Sequence, residues 1–176
     1  MGILNRIVQS TAPWMPKIII GRIASIYVAG DKLEDGIDLV RKLNKKGFVG
    51  TLDLLGEEVK NRRGITKTTN SYCDLIDGIA NSGVDCNISL KLTAIGLKVD
   101  ESLCWDNLSV ILDKAKMYNT FVRMDMEDSE VTESTIKMCK KAVNYYPNCG
   151  TVLQAYMYRT NDDIDLLKGP SANIRL

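Results

Sequence analysis

Asn87-Ile88-Ser89-Leu90-Lys91-Leu92-Thr93 is the stretch whose reading decides the fold. With a period of two, Ile88, Leu90 and Leu92 share one face, and Asn87, Ser89, Lys91 and Thr93 share the other. In a half-exposed strand the polar face would meet water. The surrounding sequence points elsewhere. Four successive predicted strands, Gly50–Leu55, Cys86–Thr93, Thr120–Met126 and Thr151–Tyr158, are separated by amphipathic helices, and each carries a polar residue near its end: Asp53, Lys91, Asp125 and Gln154. Strands joined by helices form a parallel sheet covered on both faces. Polar side chains converging inside such a sheet are costly unless they bind something.

The alternation extends outward in both directions. A first strand is predicted near Ser25–Val28, and Asn173-Ile174-Arg175-Leu176 reads as the start of a sixth. Asp31 and Glu34 form a capping box ahead of a helix with the stripe Leu33, Ile37, Val40, Leu43, stopped at Gly47. A polar stretch from Glu57 to Thr69 precedes a second helix, which packs Tyr72, Leu75, Ile76 and Ile79 and ends near Gly83. Further stripes are Leu108, Ile111, Leu112, Ala115, and then Ile136, Cys139, Val143, Tyr146 before Pro147. A short helix, Asp162–Leu167, is capped by Thr160 or Asn161 and stopped by Gly169-Pro170.

Strict alternation means an α/β fold. A doubly wound sheet would carry a Gly-rich fingerprint after its first strand, whereas Ala29-Gly30-Asp31 is only a turn and a helix cap. Recurring polar strand ends favour a (βα)₈ TIM-barrel fold. A complete barrel takes about 250 residues; the 176 residues here accommodate five βα units and the beginning of a sixth strand. Residues 1–22 read as an N-terminal arm, and residues 23–176 as a partial barrel.

Composition excludes several classes. The chain is 45% apolar and 26% charged, with a net charge of +1, so nothing suggests a nucleic-acid partner. Lysines 42, 45 and 46 and lysines 137, 140 and 141 fall on outer helix faces and read as solvated surface. Five cysteines with no C-x-x-C pair argue against a disulfide framework or a zinc site. The absence of histidine removes His-based triads and imidazole ligands. No apolar run is long enough to span a membrane, and a cytoplasmic location is the default expectation.

Each strand-end residue has two readings. Lys91 forms a structural ion pair with Asp53 or Asp125, or it binds an anion such as a carboxylate, or it is a Schiff-base nucleophile. Asp125 and Glu127 neutralise Lys91 and Arg123; as a metal site they are weak, because one carboxylate pair does not fill an octahedron, and no metal is assigned. Gln154 is a satisfied core amide or a partner for an uncharged polar ligand. Tyr156 and Tyr158 pack in the core or on a flat ligand. Arg175 is a further inward cation.

Six segments in order then match a known pattern. Leu52-Asp53-Leu54-Leu55-Gly56-Glu57 resembles the D-L/M-L-G-E segment of proline dehydrogenases. Asn87–Thr93 resembles their S-x-K-L-T/S strand, Arg123-Met-Asp125-Met-Glu127-Asp128 their R-x-D-x-E stretch, and Val152-Leu-Gln154-Ala155-Tyr156 their V-x-Q-A-Y strand. Asn173-Ile-Arg175-Leu176 resembles the opening of R-L-V-K-G, and Tyr27-Val-Ala29-Gly30 also fits.

The resemblance implies an FAD-dependent barrel that oxidises L-proline to Δ¹-pyrroline-5-carboxylate and passes electrons to a quinone at the surface of the inner membrane. It implies that Lys91 faces the proline carboxylate, Asp125 lines the flavin and substrate side, and Gln154 hydrogen-bonds the flavin ring. Arg175 would lie near the flavin's reactive edge, and Asp53 would support the substrate pocket. The family's later units have no counterpart before Leu176. The expectation is therefore weak FAD binding, little turnover, and self-association through an open barrel edge. The alternatives are an incomplete fragment that acts only with a complementary chain, and a Schiff-base lyase using Lys91.

Overall fold

The computed structural model describes residues 29–30, 32–56, 59–168 and 172–176. The expected arm, the strand at Ser25–Val28, Asp31 of the capping box, Glu57 and the Gly169-Pro170 stop lie outside these residues. In chain order the elements are α1 (Leu33–Asn44), β1 (Gly50–Asp53), α2 (Arg62–Ser82), β2 (Cys86–Leu90), a 3-10 turn (Leu92–Ile95), α3 (Glu101–Met117), β3 (Val122–Met124), α4 (Thr132–Val143), β4 (Cys149–Val152), α5 (Thr160–Leu167) and β5 (Asn173–Arg175).

The strands are all parallel and lie side by side in chain order. Crossovers between parallel neighbours are right-handed, so an order that never reverses puts every helix on the same face of the sheet. Burial agrees. Ile88, Leu90, Val122, Met124, Cys149 and Leu153 pack against the helix stripes in one apolar cluster. Thr151 shares that buried face and donates its hydroxyl to the Met124 carbonyl at 2.9 Å. The opposite face carries Asp53, Asn87, Ser89, Arg123 and Asn173, with Lys91, Asp125, Gln154 and Arg175 toward the C-terminal ends. A doubly wound sheet would reverse its order and cover both faces. This one is the α/β sheet of a barrel.

Local chemistry explains where the elements start and stop. The Asn61 side chain caps α2, accepting from the Gly64 amide at 2.8 Å, and Gly83 ends the helix at φ 65°, where a side chain would be strained. The helix thus begins inside the polar stretch expected to precede it. Ile65 and Thr69 already belong to its buried stripe, and Thr69 satisfies its hydroxyl on the Ile65 carbonyl at 3.0 Å. Asp100 caps α3 through the Leu103 amide at 2.9 Å. At α1 the reciprocal acid is Asp35, not Glu34: the cap falls on Lys32, whose amide donates to Asp35 Oδ2 at 3.3 Å.

The strands are shorter than their alternation suggests. β2 ends at Leu90 because the chain turns at Lys91, whose carbonyl accepts from the Ala94 amide at 3.1 Å. β4 begins at Cys149 and ends at Val152. The Gln154 carbonyl then accepts from the Met157 amide at 3.0 Å and the Thr160 hydroxyl at 2.6 Å, folding the chain into α5. Thr160 is accordingly the first helical residue, two ahead of the expected start, with Arg159 at the cap. Tyr156 and Tyr158 fall beyond the strand and are exposed, so neither packs in the core.

All five cysteines are free thiols. Burial pushes Cys86 and Cys149 up to about 11, and Cys104 and Cys139 up to about 12. Unfolded thiols ionise near ~8.5, so above that pH the unfolded chain releases protons the folded chain keeps. The thiol contribution is therefore complete below about pH 8.5 and is lost as pH rises toward the folded values. Urea unfolding at about pH 8 and about pH 10 is expected to show a lower midpoint at the higher pH, and Cys104→Ala with Cys139→Ala to shrink that difference. An unchanged difference in the double variant would refute the assignment.

Candidate functional site

The polar face is built in two rows. In the lower row, register places Asp53 beside Ser89, Ser89 beside Arg123, Arg123 beside Gly150 and Gly150 beside Asn173. The upper row lies two residues further along each strand, with Lys91, Asp125, Val152 and Arg175 on the same face. The rim of the sheet therefore presents two cations, a carboxylate and an apolar residue side by side. Gln154 lies just above Val152, half-buried.

Lys91 leans back across β1 and β2, placing Nζ 2.8 Å from Asp53 Oδ2. Tyr72, fully buried on α2, donates its hydroxyl to Asp53 Oδ1 at 3.0 Å. Asp53 is thus held through both oxygens, one by a charge and one by a neutral donor. Burial, reinforced by the Asp53 charge, raises the Tyr72 phenol far above its ordinary range, so it stays a donor. Of the two partners expected for Lys91, Asp53 is the one it takes.

Asp125 pairs with Arg175 instead, Oδ1 to Nη2 at 3.2 Å, spanning β4 at Val152. Glu127 accepts from the Thr93 amide at 3.1 Å and from the Thr93 hydroxyl. The carboxylates expected to neutralise Lys91 and Arg123 make their hydrogen bonds to Arg175 and Thr93, and Asp125 acts on Arg123 through its charge without a direct ion pair. Their commitments diverge, so they do not converge on a shared ion. Among the described residues no group of three or more His, Cys, Asp or Glu side chains is placed to hold a metal. Asp128 pairs with Lys98 at 2.9 Å on the surface, and that contact holds its carboxyl below the usual range.

Gln154 accepts from the Tyr156 hydroxyl at 3.2 Å, and no described residue accepts from its amide nitrogen. Among the described residues the buried Ser89 hydroxyl also finds no partner. The face therefore combines charge already compensated by pairing with uncompensated neutral donors. Of these donors the buried Ser89 hydroxyl is closed off, and the Gln154 amide nitrogen is the one placed for a hydrogen-bonding group over the strand ends. Lys91 and Arg175 are the cations of this rim, each paired with a carboxylate.

The sequence model of the family described as "Proline dehydrogenase" matches residues 37–172. The chain belongs to the proline dehydrogenase family. It is 36% identical over 150 residues to "Proline dehydrogenase 1" of Bacillus subtilis subsp. natto, covering 85% of this chain and 50% of that one. It is 33% identical over 175 residues to "Proline dehydrogenase 2" of the same organism, covering 99% and 55%. A Deinococcus radiodurans proline dehydrogenase is 33% identical over 159 residues, covering 88% and 51%. The chain thus spans about half the length of the curated relatives it matches. Among solved structures, proline utilization A (PutA) from Bdellovibrio bacteriovorus superposes with a TM-score of 0.75 at 19% identity, covering 84% of this chain and 19% of that chain. It shares the fold.

The family match contains Asp53, Lys91, Asp125 and Gln154, and ends just before Arg175. Tyr72 was readable only as a stripe residue. A tyrosine in place of leucine, one helix behind a strand-end aspartate, is the sole sequence sign of its hydroxyl's task.

With Lys91 and Asp53 each mostly buried, removing the lysine leaves Asp53 Oδ2 without its charged donor. Lys91→Met is expected to cost about 1–3 kcal/mol, and the paired change Lys91→Met with Asp53→Asn, which removes the charge and keeps an oxygen for the Tyr72 hydroxyl, to recover part of it. A double-mutant cycle by urea unfolding measures the coupling; additive losses would disprove the pairing.

Proposed function

We propose that this chain carries out the flavin-dependent oxidation of L-proline to Δ¹-pyrroline-5-carboxylate, with a quinone as the onward electron acceptor. The observation that carries the reading is the rim itself. In a member of the proline dehydrogenase family, a lysine and an arginine stand on one polar face of a barrel sheet, the lysine on a carboxylate of the neighbouring strand and the arginine on one from the strand beyond its neighbour.

FAD, when bound, supplies the acceptor for the two electrons that leave the carbon next to the proline nitrogen. The protein's own residues orient and compensate. Lys91 is the group for the proline carboxylate, and Asp53 with Tyr72 fixes its position. Gln154, whose oxygen accepts from Tyr156, would donate its amide nitrogen to the flavin ring. Arg175, steadied by Asp125, would supply positive charge to the flavin. Lys91 is engaged as the cation of an ion pair, the form that binds a carboxylate, whereas an imine-forming lysine needs a neutral amine. The ion pair favours the oxidase over the lyase. No helix among the described residues is long and apolar enough to cross a membrane; the proposal has the quinone met at the membrane surface.

The test is a single turnover on the FAD-loaded protein without oxygen. L-proline is expected to bleach the visible flavin band. Lys91→Met is expected to raise the proline concentration needed by roughly 10- to 100-fold, the worth of one charge-assisted hydrogen bond, while leaving flavin binding unchanged. Bleaching by proline unaltered in Lys91→Met would remove Lys91 from the site. Borohydride trapping of a carbonyl compound on Lys91, with no flavin spectrum, would replace the proposal with the lyase.

A further inference from the structure

Arg123 stands in the lower row of the polar face, and its work lies elsewhere than in an ion pair. No carboxylate among the described residues forms a salt bridge with it. Its Nη1 donates to three oxygens instead: Thr151 O at 3.2 Å, Asn173 O at 3.1 Å and Asn173 Oδ1 at 2.8 Å. Its guanidinium carbon lies 4.6 Å from the centre of the Phe121 ring. Thr151 belongs to β4 and Asn173 to β5, so the side chain reaches from β3 across its neighbour to the strand beyond. Neighbouring strands lie about 4.8 Å apart, so the span is about 10 Å and takes the longest cationic side chain available.

The path is open because residue 150 has no side chain. A Cβ at Gly150 would sit 2.1 Å from the Asn173 carbonyl oxygen. Any other residue there would push β5 away. β5 is short, three residues, and is the last strand of the described sheet. Its main-chain attachment at the rim includes the Leu153 amide donating to the Arg175 carbonyl at 2.9 Å. Asn173 and Arg175 are two residues apart and share a face. β3 therefore grips β5 twice over the top of β4, through Arg123 to Asn173 and through Asp125 to Arg175.

We infer that Arg123 is a positioning residue for Arg175: by clamping Asn173 over the gap at Gly150, it sets where β5 lies and hence where the Arg175 guanidinium stands on the rim. The clamp is a statement about the sheet. Its consequence for a bound flavin rests on the proposed function.

The experiment therefore has one readout that needs no flavin and one that does. The first is residue-resolved amide hydrogen exchange of the chain, comparing Leu153, which reports the β4–β5 pairing, with Asp125, whose amide donates to Leu90 O across β2 and β3 at 2.8 Å. In Arg123→Gln, Leu153 is expected to exchange at least about tenfold faster with Asp125 unchanged, and Arg123→Lys to restore part of the protection. Gly150→Ala approaches the same joint from the other side and is expected to give the same selective loss. The second readout is the visible flavin band of the FAD-loaded protein. Arg123→Gln is expected to shift it in the direction Arg175→Gln does, with no further shift in the double variant. Unchanged Leu153 protection, or equal acceleration of Leu153 and Asp125, overturns the inference. So does an additive shift in the double variant. If FAD fails to bind in every form, the proposed function falls while the exchange data still decide the clamp.

Discussion

Five parallel strands laid down in chain order, with one hand of crossover, leave a sheet no choice about its faces. The described helices go to one side, and the apolar burial of the described residues goes with them. The other side receives whatever remains, and in this chain that is two rows of polar and charged residues. A soluble edge-on-water sheet would tolerate such a face without further structure. Here the side chains are drawn inward and bound to one another: lysine on aspartate, arginine on aspartate, arginine on carbonyls, glutamate on a backbone amide. The constraint of topology thus generates the site, because polar groups that are kept from the helices must find their partners in the concavity.

Those partnerships differ in what they leave available. Asp53 spends both oxygens holding Lys91 and meeting Tyr72, so its role is support. Glu127 spends both on Thr93, which fixes the turn that follows Lys91. Two strand ends are thereby stiffened by the same few bonds that neutralise them. Arg175, more exposed than its partner Asp125, keeps much of its guanidinium at the surface of the rim. Gln154 keeps its amide nitrogen. The division between residues that anchor and residues that reach out follows from burial and bond count, without appeal to any ligand.

Much of this was readable from the chain. The positions of Asp53, Lys91, Asp125, Gln154 and Arg175 on one face follow from alternation alone, since a period of two survives even where the strand itself ends early. Helix stripes such as Leu108, Ile111, Leu112 and Ala115 are buried as their spacing requires. What alternation does not carry is the choice of partner. Lys91 takes Asp53, while Asp125 goes to Arg175, fifty residues beyond it. That choice is settled by tertiary distance. Strand ends are similarly illegible: the Gln154 carbonyl terminates the β4 segment by accepting from Met157 and Thr160, so the tyrosines that continue the alternating pattern lie in a turn. The polar run before Thr69 misleads for the opposite reason, since threonines can hide their hydroxyls on the preceding helical turn and enter a buried stripe.

The strand carrying Arg123 and Asp125 shows how few residues a rim of this kind requires. β3 has only three residues in its ladder, yet the two long-range bonds that organise β5 both originate on its polar face. A backbone ladder fixes only the spacing and register of immediate neighbours. It does nothing directly to hold a strand two places away, and curvature accumulates across that distance. Side chains that span a neighbour supply the missing restraint, and they do so most cheaply where the neighbour is glycine. Gly150 and Arg123 are in that sense one feature, an absence and a reach matched across a register pair. The matching ties Arg175, on the last strand of the described sheet, to the same rim on which Lys91 stands at the end of β2, by side chains and main chain together.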